Sequence, residues 1–137
     1  MEIYTTKSNA VKGTNYKEIS KKAFLFYNQI RRKTKRRPYV RSAYFKKDKI
    51  FIGLFWSHLE EKNIWDRTRR IKYFECGIEL VCHSFNEPSS KENPNKPSEI
   101  LHRFAGKTKN GNLFFVQIKE IKRSGEKWLV SIFPFEK

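Results

Sequence analysis

The C-terminal third of the chain limits its folding options most. Residues 99–108 (EILHRFAGKT) and 113–121 (LFFVQIKEI) are rich in aromatic and β-branched side chains and flank Lys109-Asn110-Gly111-Asn112. An Asn-Gly pair between such runs is the strongest short-range hairpin signal. A second turn at Arg123-Ser124-Gly125 leads into residues 127–135 (KWLVSIFPF). Together they predict a three-stranded antiparallel meander that ends at Pro134, which cannot donate to a ladder.

Turns set register, and register sorts side chains by face. A two-residue Asn110-Gly111 turn pairs Lys109 with Asn112, which puts His102 opposite Lys119 and Phe104 opposite Gln117. Pairing Ile121 with Lys127 puts Gln117 opposite Ser131 and Phe115 opposite Phe133. One face then carries Leu101, Ala105, Phe114, Val116, Ile118, Trp128, Val130 and Ile132, the surface for a helical layer. The other carries His102, Gln117, Lys119 and Ser131, framed by Phe104, Phe115 and Phe133. Aromatic planes mixed with hydrogen-bonding and cationic groups suit unpaired bases and their phosphates.

Upstream, Asn15 and Glu18 form an N-terminal capping pair. Tyr16, Ile19, Ala23, Phe26 and Ile30 follow at helical spacing, predicting a helix over about 16–35. Beyond Pro38, residues 39–45 (YVRSAYF) and 49–55 (KIFIGLF) predict a hairpin through Lys46-Lys47-Asp48. Ser57 and Glu60 read as a second capping box. Behind it, Leu59, Ile64, Ile71, Phe74, Ile78, Cys82 and Phe85 trace one long helix or two broken near 63–66. Residues 1–15 read as a flexible lead-in and 86–99, with three of the five prolines, as a Pro-rich loop. The whole, 1–137, is expected to be a single α+β domain: one or two helices packed on a twisted antiparallel sheet of four to five strands.

Charge narrows the partner. The chain has 30 Lys+Arg against 14 Asp+Glu, a net charge of +16. Arg31, Arg32, Lys33, Lys35, Arg36 and Arg37 fall within seven consecutive residues. The helix dipole rewards part of this charge. A phosphate backbone relieves the rest, so nucleic acid, RNA first, is the expected partner. Arg67, Arg69 and Arg70 form a second basic stripe, and Phe104 and Gln117 are candidate base contacts. No apolar run approaches membrane-span length, and residues 1–10 lack a signal-peptide core, so the protein is expected to be cytoplasmic without membrane binding.

Catalytic candidates follow from metal-free RNA cleavage, which needs a base, a cation at the crowded phosphate and an acid. His102 with Lys119, aided by Arg41 or Ser42, fits those roles on the polar face, with Ser131 beside them and His58 as an alternative histidine. His58 as a helix cap and His102 as a surface strand residue are the competing readings. Cys76 and Cys82, six residues apart on a helix, are separated by roughly 9 Å of rise, too far for a disulfide. They read as core thiols, and no metal or cofactor is expected. The chain lacks a P-loop, a dinucleotide fingerprint, H-E-x-x-H and G-x-S-x-G.

A basic N-terminal helical region is followed by H-L-E-E-K and D-R-T-R-R in a helix and by a closing meander ending L-V-S-I-F-P, a layout whose likeness to known proteins covers residues 40–135. It resembles the small nucleases grouped with barnase, EndoU, colicin and RelE-type toxins, particularly phage- and plasmid-borne ones. That resemblance implies metal-independent endoribonuclease activity of toxin type on the polar sheet face, with an acidic antitoxin or inhibitor protein as a partner. It transfers no residue roles, because no motif anchors them. The alternative is a non-catalytic RNA- or DNA-binding module, either a phage or plasmid regulator or a ribosome-associated protein.

Overall fold

A computed structural model describes residues 2–135. Its elements are β1 (Ile3–Thr5), α1 (Tyr16–Lys33), β2 (Tyr39–Arg41), β3 (Lys49–Phe51), α2 (Gly53–Glu60), α3 (Ile64–Ile71), α4 (Phe74–His83), β4 (Ser89–Glu92), β5 (Glu99–Lys107), β6 (Leu113–Ile121) and β7 (Lys127–Pro134). Strands run in the order β1-β5-β6-β7-β3-β2, and β4 also pairs with β5. β1 runs parallel to β5 and β3 parallel to β7, while the other pairs are antiparallel. The fold is α+β, but the expected architecture needs correction. Among the described residues, four helices pack on a curled, mixed sheet of seven strands.

The additional strands come from segments with no hydrophobic period of their own. β1 lies in the supposed lead-in and pairs with Ala105–Lys107 along one edge of β5. The lead-in continues to hold the fold after the strand: the Thr6 amide donates to the Lys107 carbonyl at 2.8 Å. β4 lies in the supposed loop and pairs with Ile100–Arg103 on the same edge. All four of its residues are exposed, so its backbone ladder, not burial, makes it a strand.

Helix α1 starts as expected, with the Asn15 side chain accepting from the Glu18 amide, and ends in Arg31, Arg32 and Lys33 at the negative pole of its dipole. The expected strand over 49–55 stops at Phe51, because Phe55 and Leu59 bury at i, i+4 spacing and draw 53–60 into α2. Ser57 therefore lies inside a helix and caps nothing. Asn63 is the cap, its Oδ1 accepting from the Asp66 amide at 2.9 Å to open α3. The apolar stripe is thus shared among three helices.

Those helices bury one face of the sheet. Phe55, Ile71, Phe74 and Leu80 close over Ile50, Phe114, Val116, Ile118, Leu129 and Ile132. Gly77 lets α4 approach β7, since a Cβ there would sit 2.8 Å from Ile132 Cγ1.

The register of the meander differs from expectation by one residue. The turn after β5 has three residues: the Thr108 amide donates to the Asn112 carbonyl, and the Gly111 amide to the Thr108 carbonyl, both at 2.9 Å. Only Gly111, at φ +95°, is left-handed there, not Asn110 as well. His102 therefore lies opposite Ile118, Phe104 opposite Val116, Arg103 opposite Gln117 and Leu101 opposite Lys119. With a side-chain period of two, β5 turns over: His102 and Phe104 enter the core face, and Leu101 and Arg103 face outward. Gln117 opposite Ser131 and Phe115 opposite Phe133 are as expected. A bulge next to that pair puts Leu129 in the core in place of Trp128 and Val130.

Candidate functional site

The sheet face turned away from the helices carries three cross-strand rows. Tyr39, Phe51, Trp128, Lys119 and Leu101 are successive partners across β2, β3, β7, β6 and β5. The Arg37 guanidinium covers this row, 4.0 Å from the Phe51 ring centre and 5.2 Å from that of Trp128. Glu126 steadies both groups: it accepts from Trp128 Nε1 at 2.9 Å and pairs with Arg37 at 3.4 Å. Lys49 and Arg41 lie 4.7 and 5.5 Å from the Tyr39 ring.

The second row is Arg103, Gln117 and Ser131, and the third is built on Phe115 and Phe133. Arg103 Nη2 donates to Gln117 Oε1 at 3.0 Å. β3 pairs with β7 only near its start, so from Ser131 onward β7 has no strand partner on that side among the described residues. Arg70 of α3 reaches in there and donates to Ser131 Oγ at 2.8 Å. Both guanidiniums lie over Phe133, Arg103 at 5.3 Å and Arg70 at 5.4 Å. Phe115 and Phe133 stand 5.6 Å apart. The result is a surface of half-buried rings interleaved with fixed cations.

Two further carboxylates hold Lys119 and Arg70 in place. Burial pushes Glu99 up, but the Asn93 hydrogen bond and the charges of Lys119 and Lys96 outweigh it and leave the carboxyl below its ordinary range. Lys119 Nζ lies 3.5 Å from Glu99. Burial also pushes Asp66 up, and hydrogen bonds from Arg69 and Arg70 reverse that. Asp66 therefore stays charged and anchors both arginines.

The expected catalytic group does not assemble. His102 is 8% exposed on the helix-covered face, with Nδ1 2.6 Å from Ser90 Oγ and Nε2 2.8 Å from Glu120 Oε1. Lys119 is on the opposite face, so the His102–Lys119 pair is corrected. Ser131 is held by Arg70. Arg41 donates to the Lys47 carbonyl at 2.9 Å. Ser42 is buried and accepts from the Phe45 amide at 3.0 Å. His58 stands in the last turn of α2, in the helical layer. The six catalytic candidates are thus divided between the two sides of the sheet.

The binding candidates divide as well. Phe104 is core, in edge contact with Tyr44 and Phe45. Arg67 is tied to the Glu60 and Lys62 carbonyls at 3.2 and 3.0 Å, bracing the α2–α3 turn. Arg69 pairs with Asp66 at 2.7 Å and lies over Trp65. Of that stripe, Arg70 reaches the open face. Arg31, Arg32, Lys33, Lys35 and Arg36 are exposed beside the edge where Arg37 enters the face. Gln117 is on the face as expected. Arg103, Tyr39, Phe51 and Trp128 escaped the sequence reading, although Tyr39 and Phe51 sit at alternating positions of the foreseen hairpin. Their link to Trp128 needs the parallel β3–β7 pairing, which no local signal announces.

Both cysteines are free in α4, and burial pushes each thiol up. Among the described residues, no group of three or more His, Cys, Asp or Glu is placed to hold a metal ion, and no helix is long and apolar enough to cross a membrane. No protein-family model, no curated protein and no solved structure matches this chain.

Proposed function

We propose that this protein binds single-stranded nucleic acid, RNA in the first place, on the open face of its sheet. The supporting observation is the aromatic row Tyr39–Phe51–Trp128 under Arg37, continued by Phe115 and Phe133 under Arg103 and Arg70. Unpaired bases stack on such rings whatever their sequence, while the cations meet the phosphates. The exposed cluster of Arg31 to Arg36 lengthens the electrostatic track at the β2 edge. The test is titration of labelled single-stranded RNA, single-stranded DNA and duplex RNA against the wild type and Phe133→Ala. Preference for the single strands and loss of affinity in the variant are expected. Equal affinity of duplex and single strand, unchanged by the substitution, would reject the open face.

Metal-independent RNA cleavage is a second reading, resting on a different observation. His102 lies between the Glu120 carboxylate and the exposed Ser90 hydroxyl, the setting in which an imidazole serves as a general base. That array sits at the β4 edge, so a cleaved strand would have to pass there. Incubating mixed RNA with the protein in EDTA, with His102→Ala alongside, decides this reading.

A further inference from the structure

At the far end of the third row, past Phe133 and Pro134, lies a cavity of about 730 Å³. We propose that it holds one splayed-out nucleotide of the strand bound on the open face. The inference rests on the binding function proposed above and specifies where a base leaves the stack.

The cavity's chemistry suits a nucleotide at both ends. Tyr16, Trp65, Tyr73 and Phe135 contribute rings, while Lys12, Arg69 and Lys72 contribute cations, and none of the lining residues is acidic. Trp65 is 67% exposed and Phe135 50%, a large apolar surface for a chain to leave in water. Asn110 and Asn112 also line it; Asn110 Oδ1 accepts from Thr108 Oγ1 at 2.7 Å and from Asn112 Nδ2 at 3.4 Å, so the Asn110 amide nitrogen and Asn112 Oδ1 are the groups that can pair with a base edge. Its volume falls within the usual range for small-molecule sites, roughly 300–1,000 Å³.

The walls are preformed. The Val11 amide donates to the Lys72 carbonyl at 3.1 Å, the Lys109 amide to the Ser8 carbonyl at 3.2 Å, and the Asn110 amide to Asn9 Oδ1 at 2.9 Å. These bonds hold residues 8–11 against both the C-terminal end of α3 and the β5–β6 turn. Asp66 anchors Arg69 on the cavity side and Arg70 on the open-face side. Phe135 lines the cavity and lies 6.1 Å from Phe115, so the stacking surface continues into it. A strand following the rows would reach this opening with a base to place.

Three tryptophan indole N–H signals, assigned with Trp65→Phe and Trp128→Phe, make the test direct. Adenosine and guanosine monophosphate, added to the full chain, should shift the Trp65 signal saturably, and inorganic phosphate should not. Trp65→Ala should weaken a single-stranded RNA oligomer about tenfold or more, the loss of one stacked base, with the melting temperature unchanged. If the oligomer binds while nucleotides leave Trp65 unmoved, the cavity is not a base site and the open-face reading stands. If inorganic phosphate shifts Trp65 as much as the nucleotides do, the site is only a cationic patch and the inference is overturned. If nucleotides shift Trp65 but the oligomer fails to bind, the nucleotide site stands and the open-face reading fails.

Discussion

The His102 imidazole and the Glu120 carboxylate lie 2.8 Å apart on the face of the sheet that the helices cover. Ser90 closes the other side of the ring at 2.6 Å, so three neighbouring strands are tied through one side chain. A neutral ring donating from Nε2 to Glu120 and accepting the Ser90 hydroxyl at Nδ1 satisfies both partners; this tautomer is assigned from them. His102→Ala is expected to lower stability by about 1–3 kcal/mol in urea unfolding, because Glu120 loses its donor. RNA affinity should stay within a factor of a few. Unchanged stability would show that the tie contributes nothing.

The open face should behave as a set of independent binding groups. Phe133→Ala is expected to cost roughly 1–3 kcal/mol of single-strand affinity if a base stacks there. Neutralising Arg31, Arg32, Lys35 and Arg36 together should weaken all sequences alike and flatten the plot of log affinity against log salt by roughly 0.7 for each phosphate left without its cation. A slope that survives the quadruple change would make the cluster a solvated helix end.

Backbone strain predicts opposite signs at two turns. Gly111 has φ +95°, so Gly111→Val should destabilise by about 1 kcal/mol or more. Lys47, at φ 69°, is left-handed without being glycine, and Lys47→Gly should stabilise by roughly 0.5–1 kcal/mol. Thermal melts of the two variants are the check. A change of the same sign in both would refute the argument.

Glu79 makes stability sensitive to acid. Burial pushes its carboxyl up, but the Lys7 amide, the Ser8 hydroxyl and amide and the Tyr4 hydroxyl outweigh that and hold it low. A folded value below the unfolded one adds stability above the ordinary carboxylate range, about pH 4, and that stability is lost as pH falls through the lower folded value. Glu79→Gln should therefore cost about 1–3 kcal/mol at pH 7. The gap from wild type should close at acid pH in parallel urea titrations; a constant gap would rule out the charge as its source.

Several elements could be read from the chain alone because their signals are local. Asn15 and Glu18 start α1, Gly111 turns the hairpin, and alternation marks β6, whose core residues Phe114, Val116 and Ile118 are all where the pattern puts them. The cationic run from Arg31 to Arg37 needs no fold to be seen. The candidate site was half legible: Gln117, Ser131, Phe115 and Phe133 are on the open face, while His102 and Phe104 are not. That error came from one residue of turn length, which in a structure of period two moves a whole strand's side chains to the other face. β4 carries no hydrophobic signature and β1, Ile3-Tyr4-Thr5, is too short to show a period; both are strands because β5 offers its edge. The row from Tyr39 to Trp128 likewise exists only through the parallel pairing of β3 with β7, which joins segments some seventy-seven residues apart in sequence, from Phe51 to Trp128. Local propensity selects elements, but which strand edges meet is decided by burial and hydrogen bonding over the whole chain, and those pairings brought the rings and cations together.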